Sequence, residues 1–175
     1  MYAPYNLWGI FILGDELLNK FEEIFKNQVR ELDNTYVLRL YTIGKLSGMT
    51  YPCDFIVFRE DGTYLCELKS VQRGGRLSFA NIRDNQWDMI NINIKNVFCI
   101  FPVFFIDKQV VKCYTVEELD KLRKQGKKSI KFDEDIGITV PISKQKRLYH
   151  EFNWEELFNE LGKSTSVSRN AKGKV

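Results

Sequence analysis

The sequence has little histidine and no paired cysteines. Its 175 residues contain a single histidine, His150, and four cysteines that form no C-x-x-C pair. One imidazole argues against histidine-based catalysis, including nuclease sites built on histidine. Isolated cysteines argue against a zinc site or a disulfide framework. Three of them lie in apolar, strand-like runs, where cysteine behaves as a small buried hydrophobe, and this pattern predicts a reducing, cytoplasmic setting.

Long hydrophobic runs and a strong charge of one sign are also missing. The apolar stretch 7–13 is too short to span a bilayer and follows no basic segment, so we predict a core-packing segment and no membrane association. The formal net charge of +3 says little about partners. A composition that is 44% hydrophobic and 28% charged is ordinary for a globular domain, and the length suits one domain.

Hydrophobic periodicity and turn signals divide the chain into helices and strands. The predicted elements are a helix at 15–32, a strand at 36–41, a hairpin at 51–71, a helix at about 81–94 capped by Asn81, a strand pair at 97–106 and 109–114, and helices that begin after Thr115 and Asn153. The last two helices carry a capping-box signature, with a glutamate three residues after the cap. We predict an α/β or α+β domain around a mixed sheet over 1–162, and a flexible basic tail over 163–175.

The hairpin carries charged residues on strands that are otherwise apolar. Its turn contains Asp61-Gly62, a pair that tolerates the positive φ angles of a tight turn. If the loop is 59–62, Asp54 lies opposite Glu67; if only Asp61-Gly62 form the loop, Asp54 lies opposite Lys69. Both registers place Asp54, Glu67 and Lys69 on one face, and a three-residue loop would reverse this.

Two carboxylates and an ammonium on one sheet face can form a hard-cation site. Carboxylate oxygens suit Mg²⁺, and a nearby lysine can position or deprotonate an attacking water. The alternative is a surface salt bridge of Lys69, which is common and contributes little to stability. The strands are too apolar for a freely solvated face, although the pattern D-x12-E-x-K alone is a weak motif.

Glu22 of the first predicted helix has an unusual position. It lies within about 20° of Val29 around the helix axis, at the edge of the apolar face, whereas Glu23 points to the polar side. A carboxylate beside a buried face is costly unless it has partners. Glu22 therefore either faces a metal site on the sheet or extends to solvent from the edge of the apolar face.

Three short motifs carry a resemblance to a known superfamily. The sequences FEEIF (21–25), PCD (52–54) and ELK (67–69) together resemble the PD-(D/E)xK nucleases. The stretch RLSFANIRDNQWDMI is similar to the segment after the active-site lysine in RecU-type Holliday-junction resolvases. The positions matched there are Phe79, Asn81 and Gln86. The resemblance spans roughly residues 14–125 and implies a restriction-endonuclease-like α/β fold, with a central mixed β-sheet flanked by helices.

The resemblance also implies roles for individual residues. Asp54 and Glu67 would bind Mg²⁺, or Mn²⁺ in its place, and Lys69 would serve the attacking water. Glu22 would be an accessory acidic ligand, and Gln86 would support the site from its helix.

Two departures from the RecU pattern stand out. Asn85 occupies the position of a family histidine, and the insertion that forms a stalk in RecU proteins is reduced to about 42–51. The second departure puts the family's way of holding a junction in doubt.

The predicted function is Mg²⁺-dependent cleavage of branched DNA, above all of Holliday junctions during recombination and repair, by a two-fold homodimer. The apolar stretch 7–13 is available as a dimer interface. Another PD-(D/E)xK nuclease with a repair, restriction-like or phage role, and a non-catalytic DNA-binding module, remain as alternatives. The candidate phosphate contacts are Lys45, Arg73, Arg76 and Arg83, although a solvated surface charge is the default explanation for any one of them.

Overall fold

The structure, a computed structural model, describes residues 20–40, 51–145 and 150–171, without the side chains of 145 and 164–171. The strands in these ranges are β1 (Tyr36–Arg39), β2 (Phe55–Arg59), β3 (Gly62–Cys66), β4 (Lys69–Val71), β5 (Arg76–Ser78), β6 (Val97–Phe105), β7 (Val110–Thr115), β8 (Ser129–Lys131), β9 (Ile138–Val140), β10 (Ile142–Gln145) and β11 (His150–Phe152). The α-helices are α1 (20–30), α2 (Asp84–Trp87), α3 (Val116–Lys124) and α4 (Trp154–Ala171).

Seven strands form one mixed sheet in the order β1-β2-β3-β6-β7-β9, and β4 pairs with β6 beyond the end of β3. Strands β3 and β4 run parallel to β6, whereas the other neighbours are antiparallel. Two small antiparallel pairs, β5 with β8 and β10 with β11, lie outside it. The predicted α/β class, with a central mixed sheet flanked by helices, is confirmed.

Helices α1 and α4 cover one face of the sheet. Their buried side chains come from Phe21, Phe25 and Val29 of α1 and from the stretch 154–161 of α4, and they pack on Phe55, Val57, Tyr64 and Cys66. The apolar periodicity that predicts α1 therefore marks its sheet-facing side. The helix ends at residue 30 and not at the predicted 32; the residues 15–19 of that prediction lie outside the described part.

The opposite face is covered by α2, α3 and the turns around them. Trp87 and Leu119 pack there against Phe101, Val103 and Phe105 of β6. Strand β6 also sends Ile100 and Phe104 into the α1 side. A strand buried on both faces needs apolar residues at nearly every position, which explains the continuous run VFCIFPVFF.

The hairpin adopts the register in which Phe58 lies opposite Thr63. Arg59 pairs with Gly62, so the tip is formed by residues 60 and 61, and the register with an Asp61-Gly62 loop is wrong. None of the residues 59–62 has a positive φ angle. Gly62 is required for another reason: a Cβ atom there would lie 2.7 Å from the Phe98 ring and 2.8 Å from the carbonyl oxygen of Asn96.

The helix predicted at about 81–94 is broken into three short pieces. A 3-10 helix at Phe79–Asn81 is followed by Ile82 in extended conformation, then by α2 and by a second 3-10 helix at Asp88–Asn91. Asn81 is therefore not the cap, and the N-cap position of α2 is Arg83. Because of this break the side chain of Ile82 points into the core, where it is 4% exposed, and the side chain of Trp87 is buried as well.

The capping box predicted at α3 is present: the Thr115 hydroxyl accepts from the Glu118 N–H, and the Glu118 carboxylate accepts from the Thr115 N–H. At α4 Asn153 caps the Glu156 N–H as predicted, but the box is incomplete, because the Asn153 backbone N–H donates to the carbonyl of Pro141 and Glu156 accepts from the Asn153 side chain instead. Helix α4 extends to Ala171, so its backbone stays helical beyond the predicted domain boundary at residue 162.

All four cysteines are buried, including the three that were predicted to be small core hydrophobes in strand-like runs. Among the described residues, no helix is long and apolar enough to cross a membrane.

Candidate active site

The chain brings Asp54 to the side of Glu67 at the open end of the hairpin. The backbone N–H of Asp54 donates to the carbonyl of Cys66 (3.0 Å), and the Asp54 carboxylate accepts from the backbone N–H of Leu68 (2.8 Å). Strand β3 ends at Cys66 and β4 begins at Lys69, with the same register along β6. The Asp54 side chain thus lies at the interruption between the end of β3 and the start of β4. There its carboxylate accepts the hydrogen bond that a backbone carbonyl would accept in a continuous strand pair.

Strand parity places Glu67 and Lys69 on one face, as predicted. Lys69 Nζ donates to Glu67 Oε1 (2.9 Å) and to Gln86 Oε1 (3.0 Å). Gln86 Nε2 also donates to Glu67 Oε1, and Gln86 Oε1 accepts from the Arg83 backbone N–H (2.9 Å). Gln86 is fully buried, so its amide is held in one orientation by three partners.

The pKa values of the carboxylates in this site are raised, so their protonated forms are favoured. Burial, followed by the negative charge of Asp54, raises the pKa of Glu67 to about 7, although Lys69 opposes the shift. Burial also raises the pKa of Asp54, against the opposing effects of the Leu68 N–H, Lys69 and Arg83. Such shifts occur where two acids share a poorly hydrated space with too little positive charge.

Glu22 of α1 lies near enough to Asp54 for their charges to interact, but Glu22, Asp54 and Glu67 do not cluster closely enough to hold a metal together. Burial and the charge of Asp54 raise the pKa of Glu22, and the guanidinium of Arg39 lowers it. Arg39 and Glu22 form a salt bridge in which both side chains are 27% exposed. The side chain of Glu23 is 60% exposed, which confirms that the two glutamates face different environments.

Arg39 is a residue of this region that the sequence interpretation missed. It lies on β1 directly opposite Phe55, and its guanidinium also stacks over the Phe55 ring at 5.6 Å. Along β1, Arg39 points to the same face as buried Val37, which is the face covered by the helices. A charged residue at such a strand position was the sequence signal that could have identified Arg39.

The basic residues predicted to contact DNA are distributed unevenly. Arg83 is exposed at the start of α2, near enough for its charge to lower the pKa values of Asp54 and Glu67. Arg73 is exposed on the loop after β4, and exposed Arg76 donates to Ser129 Oγ (3.0 Å). Lys45 lies outside the described residues. Contact of any of them with DNA stays a prediction.

The residues present fit a divalent cation. Glu67 Oε2 is buried and has no hydrogen-bond partner in the structure, directly beside a second carboxylate. A hard cation between Asp54 and Glu67 would satisfy this oxygen and offset their repulsion. In the described part of the chain no three His, Cys, Asp or Glu side chains cluster closely enough to hold a metal, so water or phosphate oxygens would have to complete the shell.

No protein-family model and no curated protein matches the chain. Among solved structures, the Holliday junction resolvase Hjc of the archaeal hyperthermophile Archaeoglobus fulgidus aligns with 67% of this chain and 88% of its own, at 16% identity and a TM-score of 0.42. This similarity concerns the arrangement of the chain and does not distinguish the RecU type.

Proposed function

We propose that this protein is a Mg²⁺-dependent endonuclease that nicks branched DNA, in the manner of a Holliday-junction resolvase. The observation that carries the proposal is the buried, unpartnered Glu67 Oε2 beside Asp54, with Lys69 and Gln86 bonded to the other oxygen. In the large majority of structural ion pairs both oxygens of a buried carboxylate have hydrogen-bond partners. Together with the sequence resemblance, this arrangement favours a metal-dependent nuclease.

The proposed roles follow from the contacts. Asp54 and Glu67 would hold Mg²⁺, or Mn²⁺, which supplies positive charge for the phosphate and lowers the pKa of a bound water. Lys69 uses two donors on Glu67 and Gln86. An ammonium has three donors, so one remains for a water or a phosphate oxygen. Gln86 fixes the orientation of both partners, and Glu22 acts as an accessory acid restrained by Arg39.

The proposal also includes a substrate, branched DNA, and an assembly, a two-fold homodimer. Branched DNA would be recognised by shape and by phosphate contacts, for which Arg83 is the best-placed candidate. Two nicks placed symmetrically across a junction require two identical sites, so we expect a two-fold homodimer. Light scattering that finds a monomer both alone and with junction DNA would exclude this assembly.

The decisive experiment compares a synthetic four-way junction with linear duplex of the same sequence. We expect paired nicks in the junction with Mg²⁺, none with EDTA, and little cleavage of the duplex. Equal cleavage of both substrates would indicate another nuclease of the superfamily. Binding of the junction without cleavage at any Mg²⁺ or Mn²⁺ concentration would indicate a non-catalytic module.

A further inference from the structure

The short helix α2 contacts the site through two adjacent side chains. Gln86 bonds to Glu67 and Lys69 on the β3–β4 side. Asn85, the preceding residue, turns to another part of the chain: its Nδ2 donates to the carbonyl oxygen of Tyr51 at 2.7 Å. Both bonds originate within one helical turn, so they move together.

The Tyr51 carbonyl belongs to the segment that delivers Asp54. Residues 51–54 lie outside regular strands and helices, and β2 begins only at Phe55. At its far end the segment is held by the bonds of Asp54 with Cys66 and Leu68. Between these points Cys53 is 4% exposed and packs in the core cluster beneath α2. The Asn85 bond therefore fixes the near end of an irregular segment.

We propose that Asn85 is a positioning residue, which sets the distance between Asp54 and Glu67 by holding the Tyr51 carbonyl to the same helical turn that holds Glu67. The inference rests on the proposed function, because it assigns the two carboxylates to one cation. A cation site requires both oxygens within a narrow range of separations, and side chains that orient metal ligands commonly change metal affinity by about 10–100-fold. The imidazole of the family pattern is thus replaced here by an amide with a structural donor.

The first test measures Mn²⁺ affinity by titration calorimetry or electron paramagnetic resonance, without DNA. Asn85→Ala removes the donor, and we expect the dissociation constant to rise about tenfold. Asn153→Ala is the matched control, because it removes an asparagine that caps α4 away from the site and costs a similar amount of stability. Its Mn²⁺ affinity should equal that of the unmodified protein. Asn85→His keeps a ring N–H donor and should recover most of the affinity.

A second test needs no metal. Alkylation of Cys53 by iodoacetamide, mapped by mass spectrometry, reports whether the 51–54 segment opens. Asn85→Ala should raise the labelling rate of Cys53 severalfold while Cys66, Cys99 and Cys113, which are also buried, stay unlabelled and exclude global unfolding. Asn153→Ala should not change the labelling of Cys53.

The outcomes separate the two proposals. If the unmodified protein neither binds Mn²⁺ nor cuts DNA, the proposed function fails, and the Cys53 labelling still decides whether Asn85 holds the segment. If Asn85→Ala matches Asn153→Ala in both measurements, or if Asn85→His is as weak as Asn85→Ala, the positioning role is overturned.

Discussion

Both ends of the β2–β3 hairpin place acidic side chains beside a basic one, but the ionised acids are stabilised at the turn end and destabilised at the open end. At the turn end, the guanidinium of Arg59 donates to both carboxylate oxygens of Glu155 on α4, each at 2.9 Å, and to Asp61 at 3.3 Å. Tyr64 adds its hydroxyl to Asp61 at 3.0 Å. At the open end, Lys69 forms an ion pair with Glu67, its charge alone acts on Asp54, and the Glu67 Oε2 atom is buried without a hydrogen-bond partner.

The pKa shifts at the two ends have opposite signs. The bond from Arg59 lowers the pKa of Glu155, so charge is favoured at the turn end. Burial and mutual repulsion raise the pKa values of Asp54 and Glu67, so charge is disfavoured at the open end. The acids at the turn end thus have enough positive charge nearby, whereas those at the open end do not, which is what the proposed cation site requires.

The largest expected effect is on activity at the open end. Asp54→Asn and Glu67→Gln keep the side-chain volume but remove the charge that a hard cation requires, and Lys69→Ala removes the ammonium that we propose serves the attacking water. We expect each to reduce nicking about a hundredfold or more while junction affinity in EDTA is unchanged or tighter. Single-turnover nicking, gel-shift affinity and circular dichroism check this. Full activity in Asp54→Asn or Lys69→Ala would return these residues to a salt bridge.

The turn end should respond in the opposite way, in stability rather than catalysis. Arg59→Ala leaves Asp61 and Glu155 without their common partner, and the side chain of Arg59 is only 9% exposed. Since Glu155 is partly solvated, we expect a loss of about 1–3 kcal/mol in the free energy of unfolding. Urea denaturation measures it. Nicking per folded molecule should stay the same, and a hundredfold loss there would contradict the division between the two ends.

The dependence of stability on pH sharpens the contrast. Glu67 has a folded pKa of about 7 against an ordinary 4.5. The folded state therefore binds more protons than the unfolded state between these values, and stability falls as pH rises through this window, by on the order of 2–3 kcal/mol. Glu155 acts oppositely, because its lowered pKa makes stability fall as pH drops below its ordinary value. Urea denaturation of the metal-free protein from about pH 3 to about pH 8 measures both.

Glu67→Gln is the control for that experiment. It should flatten the decline between about pH 5 and about pH 7 and leave the loss of stability at acid pH intact. Added Mg²⁺ should also flatten the decline in the unmodified protein, because a bound cation favours the charged carboxylates. An unchanged slope in Glu67→Gln would show that another group titrates there.

Sequence reasoning succeeded where strand parity or local capping decides the structure. Parity alone placed Glu67 and Lys69 together, and the capping box of α3 and the Asn153 cap of α4 were predicted from residues three apart. These features depend on near neighbours, so the order of residues contains them. The register of the hairpin remained open between two alternatives, because the close approach of Gly62 to Phe98 comes from a distant strand.

Contacts between elements that lie far apart in the sequence also shape the site, and these contacts could not be predicted. The Glu22–Arg39 pair joins a helix to an edge strand, and the Asn85–Tyr51 bond joins a helix to an irregular segment. The predicted 81–94 helix is broken before α2. The side-chain oxygen of Gln86 accepts from the Arg83 backbone N–H, so a new helix begins at Asp84. Each depends on tertiary packing, which local propensity does not contain.

A smaller effect separates two neighbouring glutamates of α1. Glu22→Gln removes a charge near Asp54 and breaks the pair with Arg39, so we expect a slowing of nicking of about three- to tenfold, well below the effect at Asp54. Glu23→Gln, on the exposed side, is the matched control and should leave the rate unchanged. Nicking rates over a range of Mg²⁺ concentrations distinguish them, and equal rates in the two variants would remove Glu22 from the site.

The smallest expected effect concerns the segment after Gly162. In the part of α4 whose side chains are described, residues 154–163, the buried residues are Trp154, Leu157, Phe158 and Leu161, and the sequence after Gly162 has few apolar residues. Truncation after Gly162 should therefore shift the melting temperature by only a few degrees, whereas Leu161→Ala, a core change in the same helix, should cost about 2–5 kcal/mol.

The removed segment contains Lys163, Arg169, Lys172 and Lys174. If these charges touch phosphates, truncation will weaken binding of junction and duplex alike and reduce the salt dependence of affinity. Calorimetric melting and gel-shift titrations at two salt concentrations measure both effects. A melting temperature lowered as far as in Leu161→Ala would show that the segment packs against the domain and is not a basic tail.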